Sequence, residues 1–211
     1  MEVQRLAPGD SDYPSILVER LAEAAPPALY SLGDPGILRR RLFGLICSIK
    51  CPGSIVIKTF DAIRELRDAG VTMIGGFHSP MERECLDLLL RGAQPAVLCP
   101  ARRLSGLRIG QKARKALAEG RLLLLSSFGD EVRRVNSIQA MRRNDLVAAL
   151  AVAVLVPYAA PEGRTWATVG RAIGRGRLVL TFDDRENTAL LARGARPYRS
   201  DDLDTILTLN G

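Results

Sequence analysis

The chain has 211 residues, 47% of them hydrophobic and 25% charged, enough to bury one good core with a small appendage. The longest apolar run, Leu146 to Val156, falls short of the ~18 residues of a membrane helix, and Met1 to Asp10 has no basic region leading into an apolar one, so a membrane span and an export signal are not expected and a cytoplasmic location is. Thirty Lys and Arg against 23 Asp and Glu leave a net charge of +7, which fits a polyanionic partner, the alternative being basic helices that are merely solvated.

Residues 1–40 are punctuated by Asp12-Tyr13-Pro14, Pro26-Pro27 and Gly33-Asp34-Pro35-Gly36. They leave room for short helices and read as an N-terminal extension packed on the rest, with too few residues for a core of their own. From there on, short apolar runs alternate with amphipathic ones. Strands are predicted near 42–47, 71–74, 95–98, 121–125, 151–156 and 178–182. Between them, helical spacing is read over Ile55–Ala69, Pro80–Arg91, Ile109–Ala118, Val135–Leu150 and Thr165–Ile173. A shorter helix over Asn187–Ala192 follows, and Leu203–Leu209 closes the chain. Unbroken apolar strands separated by helices specify an α/β domain over 41–211, a doubly wound and mostly parallel sheet covered on both faces.

In such a sheet, ligands gather at the carboxyl ends of the strands. Three segments there carry chemistry. Ser48-Ile49-Lys50-Cys51-Pro52-Gly53-Ser54 joins the first long strand to its helix, with small residues and Lys50 suited to an anion. It matches neither the dinucleotide fingerprint nor the P-loop spacing, and a plain tight turn explains it equally. Gly75-Gly76-Phe77-His78-Ser79-Pro80 ends the next strand, and its glycines permit close backbone approach. Ser79 and Glu82 fit a capping box, a structural use, and His78, the sole histidine, lacks a visible nucleophile to serve. Arg142-Arg143-Asn144-Asp145 offers guanidinium forks to phosphate oxygens, and Gly163-Arg164-Thr165-Trp166 adds a cation, a hydroxyl and the sole tryptophan. Trp166 would either stack a base or pack into the core.

The positive charge is uneven. Arg102, Arg103, Arg108, Lys112, Arg114, Lys115 and Arg121 meet only Glu119 within their own stretch, and Gly163 to Phe182 holds four arginines and no acid before Asp183. Cys47, Cys51, Cys85 and Cys99 include no CxxC pair, so neither a metal nor a disulfide is expected and reduced, buried thiols are.

Together these segments resemble one family. Tyr13-Pro14-Ser15-Ile16-Leu17 and Pro26-Pro27-Ala28-Leu29-Tyr30-Ser31-Leu32-Gly33 are similar to the lead-in of the DNA-processing protein A (DprA/Smf) family. Arg143-Asn144 ahead of Leu146–Leu150, the strand Ala153–Val156, Gly163-Arg164-Thr165-Trp166 and the closing Gly194-Ala195 with Ser200-Asp201-Asp202-Leu203 resemble its later motifs. The family's GSR loop is replaced by Cys47-Ser48-Ile49-Lys50, its GID motif is missing after Gly75-Gly76, and Asp183-Asp184-Arg185-Glu186 stands where it has a proline-glycine loop. The resemblance implies a Rossmann-like core that binds single-stranded DNA and hands it to the recombinase RecA, with no established catalysis and no cofactor. A homodimer stays open. The residues it assigns to DNA and phosphate are Ser48, Lys50, Gly75, Gly76, Arg143 and Asn144, with Arg164 and Thr165 beside them. Two alternatives remain. One is a nucleotide-derivative binder or hydrolase of the cytokinin-activating (LOG) type, whose PGGxGT loop is missing from the sequence. The other is a degenerate member that works through protein partners.

Overall fold

A computed structural model describes residues 2–202. Nine strands form one sheet in the order β1-β2-β6-β5-β4-β3-β7-β8-β9. They are β1 (Gln4–Leu6), β2 (Leu29–Leu32), β3 (Leu42–Leu45), β4 (Thr72–Gly75), β5 (Ala96–Leu98), β6 (Leu122–Ser126), β7 (Ala153–Leu155), β8 (Leu178–Thr181) and β9 (Arg196–Pro197). From β6 to β9 every pairing is parallel, whereas β1–β2 and β2–β6 are antiparallel. The six predicted strands all lie in this sheet, in the doubly wound arrangement expected of them. Residues 1–40 depart from the expectation of short helices alone. Besides α1 (Ile16–Leu21), they contribute β1 and β2, which extend the sheet beyond β6. The pairing partner was invisible locally: β2 finds its mate in β6, with Tyr30 opposite Ser126.

The strands alternate strictly between two apolar layers because successive side chains point to opposite faces. Phe43, Leu45, Met73, Leu122, Leu124 and Leu155 pack against α2 (Gly53–Asp68), α3 (Pro80–Leu89) and α4 (Gln111–Ala118). Leu42, Ile74, Val97, Leu123, Val154 and Val179 pack against α1, α5 (Ser137–Leu150), α6 (Arg164–Gly174) and α7 (Thr188–Ala192). Burial on both faces is why the strands read as unbroken hydrophobic runs. The closing segment 203–209 lies outside the described residues. None of the described helices is long and apolar enough to cross a membrane.

The chain order sets the position of the site. From β3 it steps outward through β4, β5 and β6, then α5 returns it to β7 on the other side of β3. The loops after β3 and β7 therefore diverge, and a crevice opens between them, as in other open α/β sheets.

Candidate functional site

A cavity of about 490 Å³ occupies that crevice. Ser48, Lys50, Arg143, Asn144, Arg164 and Thr165 all line it, from three separate segments of the sequence. Gly76 lines an adjoining cavity of about 360 Å³ at the ends of β4 and β5. Gly75 lines neither and closes β4, where a Cβ would press on the Leu45 carbonyl and the Phe77 ring. His78, Ala140 and Arg143 border both cavities, so the two form one groove across the strand ends.

The loops around the groove are tied together by a buried carboxylate. Glu82 accepts from the amides of Ser79 (2.9 Å) and His78 (3.2 Å) through one oxygen and from Cys47 (3.3 Å) through the other. The first of these completes the capping box of α3, with Ser79 Oγ accepting from the Glu82 amide. The Cys47 bond reaches beyond the helix to the end of β3. A residue legible only as a cap thus joins the two strand-end loops, which local spacing could not reveal. On the other side of the crevice, Ser48 Oγ accepts from the Ala160 amide at 3.1 Å and the Ser48 amide donates to Tyr158 at 3.0 Å. The β3 and β7 loops are therefore held to each other.

Arg142-Arg143-Asn144-Asp145 lies inside α5, within the helix expected over Val135–Leu150. Arg143 is only 6% exposed and forms the floor of the groove. Its Nη1 donates to the Cys99 carbonyl at 2.9 Å and its Nε to Asn144 Oδ1 at 2.7 Å. Burial pulls its pKa below the usual arginine value, with Glu82 and Cys99 opposing. The guanidinium rests directly on Gly76, so that glycine leaves space for the floor to form. Asp145 is drawn the other way, into a bidentate pair with Arg171 on α6.

The rims carry the accessible charge. Lys50 and Arg164 flank the first cavity, and Arg83, Arg102 and Arg108 the second. None of these five is ion-paired among the described residues. Arg164 begins α6, whose N-cap Gly163 offers no side chain to the first-turn amides, so the positive helix end also faces the crevice. Gly163 itself is pressed against the Ala160 carbonyl, 2.9 Å from where a Cβ would sit. Much of the remaining basic stretch is neutralised: Lys112 pairs with Asp87 and Arg103 with Asp130, both distant in sequence, while Arg121 and Lys115 share the local Glu119. Only the folded chain separates Arg102 and Arg108 from their paired neighbours.

Trp166 does not line the groove. It packs beside the second apolar layer, with the Arg193 guanidinium 4.3 Å above its ring. Cys47, Cys85 and Cys99 are buried, but Cys51 is half-buried, short of the full burial expected. Among the described residues, no three His, Cys, Asp or Glu side chains are placed to share a metal ion.

The family model described as DNA recombination-mediator protein A matches residues 4–202, nearly the whole chain. The protein belongs to the DNA recombination-mediator protein A family. Its fold is similar to DNA processing protein A from Streptococcus pneumoniae, with a TM-score of 0.81 at 17% identity over 100% of this chain and 76% of that one. It is similar to DNA processing protein A from Helicobacter pylori as well, a structure described for its unique single-stranded DNA binding mode. That match has a TM-score of 0.77 at 18% identity over 98% of this chain and 96% of the other. A molybdenum cofactor binding protein from Rippkaea orientalis shares the fold more distantly, with a TM-score of 0.56 at 9% identity over 80% of this chain and 96% of that one. No curated protein sequence matches the chain significantly. Family membership makes DNA processing the general role of this recombination-mediator homologue.

Proposed function

We propose that the protein binds single-stranded DNA along the groove at the strand ends, without base preference, in support of recombination or DNA uptake. The observation that carries this reading is the continuous groove with five rim cations, Lys50, Arg83, Arg102, Arg108 and Arg164, none of them ion-paired among the described residues. Phosphates are attracted to such a rim by charge alone. Apolar side chains at the groove, Ile49, Met141 and Val135, offer unpaired bases a surface that every base can use. A duplex hides those base faces. In this reading Arg143 shapes the floor and the exposed cations make the phosphate contacts. The bound strand is then passed to the recombinase RecA in the cytoplasm.

Fluorescence anisotropy with a labelled oligothymidine and a duplex of equal length tests the proposal. The single strand is expected to bind at low salt and the duplex more weakly, with Lys50→Ala and Arg164→Ala each reducing affinity. Failure of the single strand to bind at low salt removes the reading. A strand-exchange assay with RecA tests the transfer step.

A further inference from the structure

Three backbone amides from two strand-end loops converge on the carboxylate of Glu82: those of His78 and Ser79 after β4, and that of Cys47 after β3. A helix cap accounts for the Ser79 amide alone. The His78 amide precedes the cap, and the Cys47 amide reaches in from a neighbouring strand. Convergent amides at a helix N-terminus form a cradle suited to a phosphate oxygen or a carboxylate. Glu82 is 5% exposed and lines the cavity of about 490 Å³ together with Cys47, His78 and Ser79, so the cradle opens onto the groove. We propose that Glu82 is an internal stand-in for a phosphate, which keeps this cradle filled and so makes the groove select a strand over a free phosphate monoester. The filled cradle stands on the geometry alone; the selection rests on the proposed function.

A buried cation stands beside the cradle. Arg143 is 6% exposed, lines the same cavity and forms no ion pair among the described residues. Burial pulls its pKa down, and Glu82 opposes that pull together with Cys99. The Glu82 carboxylate is therefore the anion that answers the floor of the groove. Without it, three amide donors and an uncompensated guanidinium face the cavity, each costly to leave without an acceptor in a buried place. A phosphate or a small carboxylate entering from the groove satisfies them in its stead.

The consequence for the ligand follows from charge. With Glu82 in place, a phosphate approaching the cradle meets a carboxylate instead of free donors, and like charges repel. A mononucleotide carries one phosphate group and is left with the few rim cations it can reach at once. A strand spreads its phosphates over Lys50, Arg83, Arg102, Arg108 and Arg164, and its affinity grows with each contact. Selection in this groove thus comes from an obstacle to the small ligand as well as from attraction to the long one. The same obstacle weighs against a nucleotide-derivative binder, whose phosphate needs an open cradle.

The test compares the full wild-type chain with Glu82→Ala and Glu82→Gln by thermal melting in sodium formate, inorganic phosphate or sodium chloride at matched ionic strength. The alanine variant should melt below the wild type in chloride and regain about 5 °C, saturably, in formate or phosphate. The wild type and the glutamine variant, whose cradle stays filled, should respond to those anions no more than to chloride. In the anisotropy assay, thymidine monophosphate should displace labelled oligothymidine from the alanine variant at concentrations about tenfold lower than from the wild type. An alanine variant that stays destabilised in both anions, or an equal anion response in all three proteins, overturns the filled cradle and leaves Glu82 a cap and a tie between loops. Anion rescue with unchanged monophosphate competition overturns the selection. If the wild type binds no oligothymidine, the functional reading and the selection fall together, while the melting series still decides the cradle.

Discussion

The guanidinium of Arg143 fills the space that a side chain on Gly76 would need. One residue belongs to α5 and the other to the loop after β4, so their fit fixes how the helix sits over the strand ends. Gly76→Ala should therefore cost about 1–3 kcal/mol by overpacking, a melting-temperature drop of several degrees for a domain of this size. Gly53→Ala is the matched control. A Cβ there meets nothing within 4 Å and the residue starts α2, so the change should be neutral or stabilise by up to about 1 kcal/mol. Equal melting shifts for the two variants would contradict the packing.

Arg143→Ala should act on stability first. It strips the Cys99 carbonyl of a charged donor in a buried place, at a cost of about 2–3 kcal/mol read from urea denaturation. Under conditions where the variant is folded, the salt dependence of DNA binding should keep its wild-type slope, because the buried guanidinium is not counted among the phosphate contacts.

The rim cations should govern that slope. With about five contacts on a single strand, raising salt from 50 to 200 mM weakens binding roughly a hundredfold. Lys50→Ala, Arg164→Ala and Arg108→Ala should each flatten the double-logarithmic salt plot by about 0.7. Lys112→Ala should not, since Lys112 is paired to Asp87 at 2.5 Å. A Lys112 effect as large as that of Lys50 would place the DNA over α4 instead.

Trp166 is the single tryptophan, and its fluorescence reports on Arg193 above it. Arg193→Ala should shift the emission and cost about 0.5–1 kcal/mol of stability. Trp166→Phe should leave DNA affinity unchanged. A loss of affinity would move base stacking to this ring.

The sequence disclosed what repeats locally and concealed what depends on distant partners. Strands β3 to β8 were legible because burial on both faces makes each an apolar run. β1 and β2 were not, since both are partly exposed and their antiparallel partners are set by the fold, β1 on β2 and β2 on the distant β6. At the site, the Ser48–Lys50 turn, Arg164 and Thr165 stood out by residue type and family resemblance. Glu82 was visible only as a cap, since its bond to the Cys47 amide crosses from one loop to another. Arg143 was noticed for its charge, but its burial depends on Gly76 and the Cys99 carbonyl, which the spacing around it does not encode. The same is true of the basic stretch from Arg102 to Arg121, where Asp87 and Asp130 select which cations stay free.

The two margins of the sheet have a consequence for how copies of this protein meet. One ends in the three residues of β1 and the other in Arg196–Pro197, where proline removes a backbone donor. Such short, broken margins give a neighbouring chain almost no ladder to extend. Stacking of sheets from molecule to molecule is thereby discouraged, even at high protein concentration. Among the described residues, the side-chain surfaces thus offer a neighbouring copy more to hold than the backbone margins do.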